Sequence, residues 1–235
     1  MSVLIIKNCA REGPGILGEI LSINEIEQHI IELENNTDIP SPLDHEAFIV
    51  QGGPASANDT TFAIRQEIIK IKEAVMADVP YLGICLGMQA LVKACGGNII
   101  SNPIKEIGWK DFEGRSFLLE LTQAGINDPV FKGLAATLPI FHLHQETAKL
   151  TDNMRLLATG KHCKNQVVKV GKTAYGFQGH AELTESMLDN WLKEDDNLRQ
   201  LTSEEVKRDY FAVREEYENN AKKIFTNFLR IADLL

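Results

Sequence analysis

The chain has 235 residues, 44% hydrophobic and 24% charged, the proportions of an ordinary globular protein with room for one sizeable α/β domain. No apolar run approaches the ~20 residues that cross a bilayer, and the opening MSVLIIKNCARE lacks the basic start and cleavage site of a secretory signal, so no membrane contact and a cytoplasmic location are expected. With 24 Lys plus Arg against 33 Asp plus Glu, a formal charge of −9, and no basic cluster to track a phosphate backbone, nucleic acid is excluded as a partner.

Runs rich in Val, Ile and Leu recur at residues 3–6, 29–33, 47–50 and 79–84, with helical patterns between several of them. This alternation predicts an α/β fold with a mainly parallel, flavodoxin-like sheet and helices on both faces. After the first run, Gly13-Pro14-Gly15-Ile16-Leu17-Gly18 matches GxGxxG, with Glu32 or Glu34 further on. Four residues separate it from the strand and Pro14 stiffens the turn, which makes it a weak dinucleotide signal. Residues 61–76 predict a helix with Ile64, Ile68, Ile71 and Val75 on one face and Arg65, Glu67, Lys70 and Lys72 mostly off it.

Past Gly97 the pattern changes to shorter strands at 106–112, 116–121, 139–144, 166–170 and 173–178, with Gly171-Lys172 as a hairpin turn. They predict antiparallel extension strands on the same sheet. The absence of a linker or repeat gives one domain over residues 1–192. Residues 193–235 form a C-terminal helical extension, in which Thr202 and Glu205 give a capping-box signal. A stripe follows at Val206, Tyr210, Val213, Tyr217, Ile224, Phe228 and Ile231, so a long amphipathic helix is expected to pack back on the same domain. Its alternative is a contact with another protein or a second copy of the chain, a homodimer.

Cysteines 9, 85, 95 and 163 form no CxxC pair, which suits free thiols in a reducing compartment. Cys85 stands apart because VPYLGICLGMQALVKACGG runs a strand into Gly-x-Cys-x-Gly and then a helix. That arrangement is a nucleophile elbow, with Gly83 and Gly87 allowing neighbouring chain to pass closely, and the helix N-terminus favours thiolate. A small buried apolar residue is the plainer reading of a lone cysteine. GFQGHAE places His180 and Glu182 two residues apart, the strand spacing that puts both on one face. Glu182 would then orient the imidazole that takes the cysteine proton. QGGP, at 51–54, ends a strand with two glycines, and one N–H there with that of Leu86 would make an oxyanion hole worth roughly 3 kcal/mol per donor.

In this order, QGGP, GICLGMQ and GFQGHAE resemble the class I (triad-type) glutamine amidotransferase family over residues 1–192, most nearly its stand-alone, GMP-synthase-like members, whose phrases echo in KEIGW, NDPVFKGL and FHLHQET. The resemblance implies a glutamine-hydrolysing enzyme with Cys85, His180 and Glu182 as catalytic triad and Gly53 and Leu86 at the oxyanion. It also implies Gly52, Gln89 and His144 at the substrate, and no cofactor. Released ammonia would go to an acceptor, supplied here by a separate synthetase or acceptor subunit.

Two departures bear on substrate. The family's Gln-Phe-His-Pro-Glu stands here as Gln178-Gly179-His180-Ala181-Glu182, and its His-Gly-Asp as His144-Gln145-Glu146. Loss of Phe and Pro beside the base is expected to widen the site. A γ-glutamyl peptidase or hydrolase with the same triad is therefore the main alternative, followed by a catalytically silent binding subunit. His142 and His144 share a strand face and His162 adjoins Cys163, but neither makes a recognised ligand set, so no metal is expected.

Overall fold

The computed structural model describes residues 1–33 and 38–235, and Glu34 lies outside them. The first half runs β1 (Ser2–Lys7), α1 (Gly15–Ile23), β2 (Glu27–Glu32), β3 (Ala47–Val50), α2 (Phe62–Met76), β4 (Tyr81–Ile84), α3 (Leu86–Ala94) and β5 (Asn98–Gly108). It continues through β6 (Leu118–Leu121), α4 (Gln123–Ile126), β7 (Thr137–Pro139), β8 (His142–Lys149), β9 (Met154–Thr159), β10 (Val167–Val170), β11 (Ala174–Phe177), α5 (Glu185–Glu194) and α6 (Ser203–Ile231). β3, β4 and β11 are buried at every position, as strands are when helices cover both faces of a parallel sheet.

The strands β2-β1-β3-β4-β11 are parallel throughout, the flavodoxin-like order with β11 in fifth place. β10, β9, β6 and β7 extend the sheet antiparallel. Gly171, at φ 59°, lies in the β10–β11 hairpin turn. Alternate strand residues divide between two cores: Val3, Ile5, Ile49 and Ile84 pack with α1, α5 and α6, while Leu4, Ile6, Phe48 and Val50 pack with α2 and α3.

Two expectations need correction. The segments at 106–112 and 139–144 do not simply extend the main sheet: Glu106, Ile107 and Gly108 pair with His144, Leu143 and His142 in a separate β5–β8 ribbon. Period-two patterning identifies a strand but not its partner. In α2, Thr61 caps the first turn through Ile64 N, yet Glu67 is fully buried rather than off the apolar face.

Thr202 is the N-cap residue of α6, but its side chain makes no capping bond, so the capping box is not formed. Val206, Tyr210, Tyr217, Ile224 and Phe228 are buried in the same core as α1, with Val213 and Ile231 partly buried against it. No described helix is long and apolar enough to cross a membrane.

Candidate active site

β4 runs straight into Cys85, whose backbone sits at φ 52° and ψ −104° before α3 begins. Such a conformation costs a non-glycine residue on the order of 1–3 kcal/mol, and the surroundings impose it. A Cβ on Gly83 would overlap the Gly87 carbonyl, and one on Gly87 would overlap the Val50 carbonyl of β3. Cys85 N also donates to Phe177 O at 2.7 Å, fastening the turn to β11. The thiol, 7% exposed, opens on a cavity of about 350 Å³ at the positive end of α3.

His180 lies past the end of β11, at an isolated bridge to Phe141, so the His180–Glu182 pair sits on a bend rather than within a strand. The two side chains still meet, with Nδ1 of His180 2.7 Å from Oε1 of Glu182. Burial opposes charge on the ring, but the Glu182 carboxylate and a hydrogen bond with Cys85 outweigh it and hold His180 well above the usual imidazole range. Trp191 of α5 packs edge-on at 4.9 Å. From α6, the Tyr217 hydroxyl donates to His180 O at 2.9 Å and accepts from Leu183 N at 3.0 Å.

The glycine motif after β1 serves this same bend. Ile16 N donates to Glu182 O at 2.9 Å, and a Cβ on Gly15, itself at φ 48°, would overlap that carbonyl. Gly52, after β3, is walled in by the Glu12 carboxylate, His180 Cε1 and Cys85 Cβ. Gly53 abuts the Leu86 side chain, and both line the cavity with Cys85, Gln89 and His144. His180, Glu182 and Gly52 stand behind that wall. Gln89 Nε2 faces Glu146 O at 3.3 Å and Gln178 Oε1 at 3.1 Å.

Gly179 does not widen the site, because Ile140 and His142 fill the space above it; a Cβ there would lie 3.0 Å from His142 Nδ1. Burial pushes the other thiols up, Cys9 to about 12, Cys163 to about 11 and the partly buried Cys95 in the same direction. Ribbon pairing adds Glu106 to His142 and His144, with ligand-type atoms within 4.8 Å of one another. Glu106 accepts there from Gln166 Nε2 at 3.0 Å and Cys163 N at 3.4 Å, so both its oxygens are already engaged, while His144 Nε2 lies 2.9 Å away without a hydrogen bond.

Sequence reasoning missed Glu12, Gln178, Trp191 and Tyr217. Glu12 is 3% exposed, with Oε2 unpaired at the cavity, and its signal was an acid placed just after an apolar strand. Gln178 opened the His180 motif without a role assigned to it.

Comparison with known proteins places the chain by family and fold. The family model for glutamine amidotransferase class-I matches residues 20–196. The glutamine amidotransferase-like protein YfeJ of Salmonella typhimurium is 34% identical over 150 residues, covering 62% of this chain and 60% of that protein. A glutamine-hydrolyzing GMP synthase subunit of Methanothermobacter thermautotrophicus is 31% identical over 163 residues, covering 65% and 75%. The crystal structure of a glutamine amido transferase from Methylobacillus flagellatus superposes with a TM-score of 0.85 at 25% identity, over 98% of this chain and 94% of that one. The alignment thus spans three fifths of the Salmonella relative's length. The family-model match over residues 20–196, most of the chain, establishes that the protein belongs to the class-I glutamine amidotransferase family.

Proposed function

We propose that the protein hydrolyses the side-chain amide of glutamine. The Cys85 thiolate attacks the γ-carbonyl carbon, and backbone N–H groups of Gly53 and Leu86 receive the developing oxyanion. His180, oriented by Glu182, passes the cysteine proton to the departing ammonia. Water, deprotonated by His180, then cleaves the γ-glutamyl thioester, releasing glutamate and restoring the thiol. Gly52, Gln89 and His144 shape the glutamine pocket, and the chemistry needs no cofactor. Residues 1–192 form the amidotransferase domain on this reading, with 193–235 as an extension packed on it.

One observation carries the proposal: His180, paired with Glu182 at 2.7 Å, and Cys85 flank Gly52 together, with the thiol opening on the cavity. Relatives named as one subunit of a GMP synthase support a separate synthetase subunit that would receive the ammonia. The second reading, a γ-glutamyl hydrolase, is supported by the cavity's extension beyond the sulfur to Arg11, Lys105 and Asn197, room for a leaving group larger than ammonia.

A panel of glutamine and γ-glutamyl dipeptides, with glutamate release measured for each, tests both. Glutamine turnover is expected to dominate; dipeptide cleavage without it would favour the second reading. Cys85→Ala is expected to abolish release, while Cys95→Ala and Cys163→Ala retain most of it. Turnover that survives in Cys85→Ala would refute the nucleophile.

A further inference from the structure

The buried polar side chains beside Cys85 form a chain whose direction can be read from its far end. Glu146 O is a carbonyl and can only accept, so the Gln89 amide atom 3.3 Å from it is nitrogen. That same nitrogen lies 3.1 Å from the Gln178 amide, so the Gln178 atom facing it is oxygen. The remaining Gln178 atom, 3.7 Å from Cys85 Sγ, is therefore an N–H donor aimed at sulfur. The assignment follows from the network alone and removes the usual ambiguity of amide flips.

The far end is anchored. His144 Nδ1 lies 3.0 Å from Glu146 O and holds that carbonyl in place. Gln178 is fully buried and Gln89 4% exposed, which leaves neither amide much freedom to turn.

Resting on the reading of Cys85 as nucleophile, we propose that Gln178 is a further catalytic residue, donating a hydrogen bond to the Cys85 sulfur and favouring its thiolate. Gln89 is the positioning residue that fixes the donor's direction. A hydrogen bond to the charged form of a group favours that form. Here it offsets the Leu143 carbonyl, 3.9 Å from the sulfur, which favours the neutral thiol. His180 faces the sulfur with Glu182 behind it, Glu12 lies across Gly52, Cys163 interacts from the ribbon side, and Arg11, Lys105, Glu146 and Asp195 line the cavity. All are common to parent and variants, so a difference between them reports the Gln178 donor.

The test is the pH dependence of Cys85 alkylation by iodoacetamide, resolved by peptide mass spectrometry, in the parent chain, Gln178→Met and Gln89→Met. Alkylation needs no glutamine, so a loss of substrate contact at Gln89 does not enter. The midpoint is expected to rise by about one pH unit in Gln178→Met, and to rise by less in Gln89→Met. The ascending limb of kcat/KM for Gln178→Met should move by the same amount, so that activity recovers at alkaline pH. Alkylation curves for both variants that superimpose on the parent's would overturn the proposal, whatever happens to turnover. If Cys85→Ala instead keeps turning over glutamine, the nucleophile assignment fails and this inference falls with it.

Discussion

Glu67 stands in an environment at odds with its chemistry. It is wholly buried on α2, with no salt-bridge partner among the described residues, and burial pushes its carboxyl up to about 7 from 4.5, an effect Asn8 only partly offsets. The folded protein therefore binds a proton that the unfolded chain has already released between those two values, so stability falls as pH rises through the window. The loss amounts to about 3 kcal/mol. Glu67→Gln, which keeps the shape of the protonated acid, is expected to match the parent near pH 5 and exceed it by about that amount near pH 8, in urea unfolding. Equal slopes with pH for the two proteins would contradict the assignment. The spacing from Ile64 and Ile71 sets Glu67 beside the apolar face, but a glutamate is scored as charged, and only packing shows that it is enclosed there. Cys85, His180 and Glu182 were legible because the elbow and the two-residue spacing are local constraints. Gln178, Glu12 and Trp191 were not, since their roles depend on segments brought together from far along the chain.

Among the elements, α6 does more than cover the sheet. Tyr217 reaches from its middle to the bend that carries His180, bonding a carbonyl on one side and the Leu183 N–H on the other. Tyr217→Phe leaves the Leu183 N–H without its acceptor and removes a donor from the His180 carbonyl, so a stability loss of about 2 kcal/mol is expected, together with a lower kcat as the bend that carries His180 loosens. Urea unfolding and steady-state turnover on one preparation check this; a variant unchanged in both would show that the clamp is dispensable. The apolar stripe of α6 was legible because its i, i+3, i+4 pattern survives any docking geometry, whereas the hydroxyl's task was not. The β5–β8 ribbon was missed for a related reason. Its residues read as strands, but their partners are set by tertiary pairing, with a register shift between Ser101 and Glu106.

At the scale of the molecule, the parallel core places the chemistry. Chain leaving the C-terminal ends of β1, β3, β4 and β11 supplies Glu12, Gly53, Cys85 and His180 in turn, on the side of the sheet where open α/β folds bind their ligands. In the roles proposed for them, Glu182 and Gln178, both buried behind the elbow, would act on the ring and the sulfur away from bulk water, where such interactions are strongest. The most direct test of the account is to quench the protein with acid during glutamine turnover and locate any adduct by peptide mass spectrometry. The account predicts one γ-glutamyl group, labile to hydroxylamine, on the peptide that contains Cys85. Turnover with that peptide unmodified, or with the label on Cys9, Cys95 or Cys163, would contradict it.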